Sequence, residues 1–356
     1  MSLTVATEIR PSLHDGFSLP CRKLSYKLKL SPLMGGALVG VLIGTPNKDD
    51  RIPNLPSSGV KVSHGASTQR IVDFIFLTPY YTDNINPGDI YHMTYSSFVF
   101  ENNGGVATIR LNDPERLNAL TFQTYGELEK IFAELAHDNS VKVVVLTGTG
   151  KGFCSGGRID AIIGPLLKMK GDELYKFTRM TCNVVQNMRK LKKPIIAAVN
   201  GIAAGAGAML MLASDLRIFS DKARAAFLFV KVGLSGADMG ALYLLPRIVG
   251  LGKATELVYF GDAIDAQEAH RIGLANRVVP DDTLMDEAYK WANRLKDGPL
   301  YALGVTKELF EYEGSVNLAA ALEMEATAQA RCMETADFLE GYNAFIEKRP
   351  LRFNRS

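Results

Sequence analysis

The 356-residue sequence predicts an α/β fold with parallel strand pairing and a helical C-terminal region. Three features carry that expectation. A hairpin pattern opens the ordered part near residue 98, apolar strands then alternate with amphipathic helices, and everything after Asp265 reads as helix. With 47% hydrophobic residues, the chain has ample apolar mass for a sizeable core.

Residues 1–92 read differently from the rest. The stretch "GTPNKDDRIPNLPSSGVKVSHGAS" is turn-rich and unpatterned, and it follows an isolated apolar run, "LMGGALVGVLIG". That run is too short to span a bilayer and has no clean cleavage pattern after it, so no transmembrane segment is expected. The segment is read as a poorly patterned, dispensable extension. An organellar leader is the alternative, which Glu8, Asp15, Asp49 and Asp50 weaken.

The core is expected over residues 93–285. Two alternating strands, Phe98 to Glu101 and Val106 to Leu111, flank an Asn-Asn-Gly-Gly turn. Phe122, Tyr125, Leu128, Phe132 and Leu135 then share one helical face, and the apolar strand "VKVVVLTG" follows. The pattern repeats through a helix ("LYKFTRMTCNVVQNMRKLKK"), a strand ("PIIAAVNG"), a small-residue helix ("GAGAMLMLASD") and the strands "LRIFS" and "AAFLFVKVG". Residues 286–356 complete the helical tail.

Composition excludes several functions. Forty basic residues against 38 acidic ones give a net charge of +2, which offers no global field for nucleic acid or an anionic membrane. Cys21, Cys154, Cys182 and Cys332 have no paired spacing, so neither a disulfide framework nor a zinc site is expected and a reducing, cytoplasmic setting is favoured. An organellar matrix would follow if residues 1–92 were a leader. No histidine has a ligand-like partner, a P-loop is absent, and no dinucleotide fingerprint opens a helix after the first strand. Metals and nicotinamide cofactors are not expected.

Two loops carry chemistry. In "KGFCSGG", glycines leave the backbone free to turn and aim N–H groups outward; in "NGIAAGAGAML", a second glycine-rich turn precedes a helix, where the first peptide donors lack internal partners. Two such donor sets converging on one oxygen would stabilise charge developing on a carbonyl. Tight packing is the alternative for either loop alone.

The segments "GKGFCSGGRID", "PIIAAVNGIAAGAGAMLMLASDLRI", "LPRIVGLGKATELVYFGDAIDAQEAHRIGLANRVV" and "EGYNAFIEKR" resemble the crotonase superfamily, the enoyl-CoA hydratase/isomerase proteins, over residues 98–353. The resemblance implies a spiral of repeated ββα units, a C-terminal helical trimerisation region, acyl-CoA substrates and a homotrimer or homohexamer. CoA would enter as part of the substrate, with no separate cofactor. It also implies two peptide donors, carried over to Ser155 and Ala206, that hold an enolate-like oxygen. Lys151, Phe153, Cys154 and Gly156 would line CoA, and Phe345 and Lys348 would meet its adenosine end, a solvated surface lysine being the alternative for Lys348.

Departures from the family pattern bear on mechanism. The two glutamates of typical hydratases are matched by Met209 and Phe229, which transfer no protons, and a common aspartate is replaced by Arg158, with Asp160 two residues later. Asp238, in "GLSGADMGALYLLPRIVG", matches the acidic residue of dienoyl-CoA isomerases. Its apolar neighbours should raise its pKa and suit it to acid/base work, with an N-cap or ion-pair role as the alternative. Tyr243 would pack in the core or share that pocket wall. The expected activity is isomerisation or other proton transfer next to a thioester. Thioester hydrolysis or carbon–carbon cleavage is the enzymatic rival, and a CoA-binding paralogue without activity is the rival of another class.

Overall fold

The structure, a computed structural model, describes residues 95–353 and, ahead of them, three strands: β1 (Ser2–Glu8), β2 (Lys23–Pro32) and β3 (Leu38–Leu42). The chain divides into two units, Met1–Asn84 and Ile85–Ser356. In the first, β1, β2 and β3 pair antiparallel in that order. These strands depart from the reading of an unpatterned segment, and their signal lies in "KLSYKLKL", which alternates polar and apolar residues at the strand period. The expected boundary at Met93 lies outside the described residues, as does Cys21.

The second unit opens with the expected hairpin, β4 (Phe98–Asn103) and β5 (Val106–Leu111), with Phe98 opposite Leu111. Helix α1 (Phe122–Glu134) begins at Thr121, whose hydroxyl accepts the Thr124 N–H while the Thr124 hydroxyl accepts the Thr121 N–H. That reciprocal cap satisfies two donors that a helix start otherwise leaves unpaired. The chain continues through β6 (Val143–Gly148), β7 (Gly152–Cys154), α2 (Gly164–Leu166), α3 (Asp172–Lys190), β8 (Ile195–Val199), β9 (Ile202–Ala204) and α4 (Ala206–Ala213). Next come β10 (Leu216–Ser220), β11 (Arg224–Ala226), α5 (Ala241–Val249), α6 (Leu251–Phe260), β12 (Ile264–Asp265), α7 (Ala266–Arg271) and β13 (Arg277–Val279). Four helices follow: α8 (Leu284–Lys296), α9 (Leu300–Glu313), α10 (Leu318–Met333) and α11 (Ala336–Glu347).

The long strands form a six-stranded sheet of order β13-β10-β8-β6-β5-β4, parallel except for the β4–β5 hairpin. Each of β6, β8 and β10 is followed at once by a short strand of a second sheet, of order β12-β11-β9-β7. The chain thus winds as repeated ββα turns. Two sequence expectations change. The "AAFLFVKVG" segment is a strand only to Ala226 and then a tight helical turn, Leu228–Val232. The stretch after Asp265 is not wholly helical, because β13 adds an edge strand there.

Strand periodicity divides the core. Val144 and Leu146 join the larger apolar cluster with α1, α3 and α4, while Val143 and Val145 face the other way against Leu284, Ala288 and Ala292 of α8. Burial on both faces explains the unbroken apolar run of β6, and each such side chain contributes ~1.5–3 kcal/mol. Helix α10 buries none of its residues, and Leu318, Leu322, Phe338 and Phe345 are exposed on the C-terminal helices. Among the described residues, no helix is long and apolar enough to cross a membrane.

Candidate active site

The glycine-rich turns after β6 and after β9 lie side by side, because β7 pairs with β9 in parallel. Contact between them is close. A Cβ on Gly201 would come 2.0 Å from the Lys151 carbonyl oxygen, and one on Gly207 would come 2.0 Å from that of Cys154. Phe153 and Cys154, expected to line CoA, are fully buried, and β7 is covered on both faces. Burial pushes the Cys154 thiol up to about 12, opposed by the Gly156 N–H. Lys151 is exposed and Gly156 buried.

The first expected donor changes as well. The Ser155 N–H donates to the Leu117 carbonyl at 2.9 Å, and the Ser155 hydroxyl donates to that of Arg116 at 3.1 Å, so Ser155 is tied to the 113–118 loop. Two residues on, the Leu120 N–H donates to Gly156 and the Arg158 N–H donates to Leu120. This parallel bridge uses the groups on either side of Gly157 and leaves the Gly157 N–H directed away from it. Gly156, at φ 98°, makes the reversal that redirects the chain, a conformation with little cost only for glycine. A Cβ there would also stand 2.9 Å from the Ala204 carbonyl and 3.6 Å from the Ala206 nitrogen. Ala206 is the first residue of α4, and Met209 N–H to Gly205 is the first main-chain bond of that helix, so the Ala206 N–H has no main-chain partner either. Among the described residues, the neighbouring main-chain donors without a partner are Gly157 and Ala206.

Asp238 stands just ahead of α5 and accepts the Ala241 N–H on its main-chain oxygen at 2.8 Å. Among the described residues, its side chain makes no ion pair. Burial raises its carboxyl pKa, and the Met239 N–H offsets part of the rise. Met239 is buried at φ 44°, a strained conformation for a residue with a Cβ, and Gly240 follows at φ 86°. Tyr125, on the buried face of α1, places its hydroxyl 3.9 Å from the point a Cβ on Gly157 would occupy. Burial foremost, then the charges of Cys154 and Asp238, hold that phenol well above its ordinary pKa. The structure therefore gathers Gly157, Ala206 and Tyr125, with Asp238 near enough for its charge to act on the Tyr125 phenol.

A sequence model described as enoyl-CoA hydratase/isomerase matches residues 101–356. This chain belongs to that family. Among curated proteins it is similar to the 1,2-epoxyphenylacetyl-CoA isomerase of Escherichia coli (strain K12), 35% identical over 255 residues, covering 70% of this chain and 95% of that protein. It is equally similar to the short-chain-enoyl-CoA hydratase of Clostridium acetobutylicum, 35% identical over 260 residues, covering 73% and 98%. Among solved structures, a Streptomyces coelicolor A3(2) protein assigned as an enoyl-CoA hydratase is 45% identical with a TM-score of 0.73, over 78% of this chain and 98% of that one. The enoyl-CoA hydratase of Bacillus anthracis is 32% identical with a TM-score of 0.68, over 73% and 100%.

As an enoyl-CoA hydratase/isomerase family enzyme, the chain has acyl-CoA as its substrate class. Met209 is fully buried in α4 and Phe229 is 4% exposed in the helical turn after β11. Arg158 grips Asp160 with bonds of 2.7 and 2.9 Å, which lowers the Asp160 pKa and leaves it an exposed, occupied carboxylate. Tyr243 neither packs in the core nor joins Asp238; it is half-exposed under the Arg247 guanidinium, 3.5 Å from its ring centre. It lines a separate cavity of about 480 Å³ with Arg189, Asp215 and Lys307. The cations there are engaged: Lys307 binds Asp215 at 2.8 Å and two main-chain carbonyls, and Arg189 binds Asp215 and Glu311. Phe345 and Lys348 are exposed at the end of α11. Among the described residues, no group of His, Cys, Asp and Glu is arranged to hold a metal.

Sequence reasoning missed Gly157 and assigned Tyr125 to the core alone. The pairing of Gly156 with Gly157 was the available signal, since a glycine turn followed by a second small residue can aim one further N–H outward.

Proposed function

We propose that the enzyme transfers a proton next to the thioester of an acyl-CoA, as an isomerase, with Asp238 as acid/base and the Gly157 and Ala206 N–H groups as the oxyanion hole. The Asp238 carboxylate takes a proton from the carbon chain; the C–H electron pair moves onto the thioester carbonyl, and the resulting enolate oxygen rests on the two donors. Reprotonation by Asp238 at another carbon shifts the double bond, and reprotonation at the original carbon, once the carboxyl has exchanged with solvent, brings solvent hydrogen into it. The observation that carries this reading is a half-buried carboxylate with no ion-pair partner among the described residues; the buried Met209 and Phe229, which the family resemblance sets at the places of the hydratase glutamates, support it. CoA enters as part of the substrate. Lys151 beside the donor turn and Phe345 and Lys348 on α11 are proposed to meet its nucleotide end, the α11 pair from a neighbouring subunit.

Incubation with an acyl-CoA in D₂O, followed by NMR, tests the chemistry. Deuterium should enter the carbon next to the thioester, and Asp238→Asn should stop it. Undiminished exchange in the variant would remove Asp238 from the mechanism. The exposed apolar faces of α10 and α11 support a homotrimer or homohexamer, which light scattering checks; a monomer at micromolar concentration would contradict it.

A further inference from the structure

Tyr125 is 3% exposed, and its ring lies edge-on to Phe177 at 5.7 Å. Apolar groups flank it: Ile162 lies against Gly157 next to the tyrosine hydroxyl, and Phe122 meets Phe177 edge-on at 5.0 Å. A phenol in such a place ordinarily finds a hydrogen-bond partner. This one has none among the described residues. The side-chain polar atoms sealed from solvent without a partner there are Thr149 Oγ1 and Glu313 Oε1, so the Tyr125 hydroxyl opens onto accessible space. That space adjoins Gly157 and lies within the electrostatic reach of Asp238.

We propose that Tyr125 determines specificity by donating a hydrogen bond to an oxygen on the acyl chain of the substrate, so that the enzyme selects acyl-CoA esters bearing a hydroxyl, ether, epoxide or keto group over plain hydrocarbon acyl groups. The proposal rests on the reading that Gly157, Ala206 and Asp238 receive the acyl end. The hydroxyl keeps its proton at every working pH and therefore acts as a donor, not a base. A hydrocarbon chain would leave this donor buried and unpaired, which is the costly outcome; an oxygen-bearing chain satisfies it. No hydrogen bond joins Tyr125 to Asp238 among the described residues, so the phenol remains available to a ligand oxygen.

The test is a calorimetric comparison of saturated C4 to C8 acyl-CoA esters with the same esters carrying one hydroxyl, methoxy or keto group along the chain. It uses the full-length enzyme and Tyr125→Phe. The native enzyme should bind at least one oxygen-bearing ester about tenfold more tightly than its hydrocarbon match, and Tyr125→Phe should bring the two within about twofold. Equal binding of every matched pair by the native enzyme overturns the proposal even if the variant fails to fold. A preference that survives in a folded Tyr125→Phe, or an equal loss on both members of a pair, overturns it too. Dissociation constants require no turnover, so failure of the D₂O exchange experiment would leave this result standing on its own.

Discussion

Asp215 and Asp238 each stand at the junction of an apolar helix with the strand or turn beside it, and they are handled in opposite ways. Asp215 accepts the Ile195 N–H at 2.8 Å and ion pairs with Lys307 at 2.8 Å and Arg189 at 3.1 Å. Asp238 meets no cation among the described residues, and the Met239 N–H lowers part of what burial raises. A carboxylate whose charge is fully met ties α3, α9 and β8 together; one whose charge is poorly met holds its proton more readily and can pass it on. The two aspartates thus differ in how completely their charge is met inside the fold.

The largest expected effect lies with the fully met charge. Asp215→Ala leaves Lys307, 6% exposed, without its counter-charge, and should lower unfolding free energy by about 3–5 kcal/mol in urea denaturation. The folded fraction should keep its turnover. If Asp215→Ala were instead fully stable and inactive, the contrast would be drawn in the wrong place. Asp238→Asn should do the reverse: stability within about 1 kcal/mol of the parent, acyl-CoA affinity within a few fold, and turnover down about a hundredfold, equivalent to about 2.7 kcal/mol in the barrier. Full turnover in that variant would make Asp238 structural.

The smallest effect is in pH dependence, where the sign is fixed by the raised pKa of Asp238. The base form is scarce until pH exceeds the folded value, so the acid limb of kcat/KM should lie above the ordinary aspartate pKa of about 3.9. The same shift acts on stability. A carboxyl with a higher pKa in the fold than in the unfolded chain favours folding in its protonated form. The native state therefore loses stability as pH rises from the unfolded value through the folded one. Asp238→Asn should abolish that loss, which thermal melts across the acidic range would detect. A limb at or below the ordinary value would show a solvated Asp238.

Periodicity made the hairpin, α1 and the long parallel strands legible, because each runs for at least five residues with one or both faces buried. It could not reveal β7 and β9 or bound β11: three residues are too few for an alternation to register. The donor identity failed for a different reason. Whether Ser155 or Gly157 presents its N–H depends on the positive φ of Gly156, a torsion that residue names permit but do not state. Tyr125 satisfied the helical face pattern as well as any leucine would, and only its neighbours in space distinguish a hydroxyl at a site from one in a core.

The 2.0 Å approaches at Gly201 and Gly207 bear on how such an enzyme can change over generations. Any side chain at either position meets a main-chain oxygen of the opposite loop, so one loop cannot be altered without displacing the other. The two turns, and with them the proposed donor pair, are inherited as a block. Positions such as Tyr125, Met209, Phe229 and Asp238 bring their side chains without any such steric lock on the two turns. New reactions on this scaffold are therefore reached by exchanging those residues, while the two turns remain as they are.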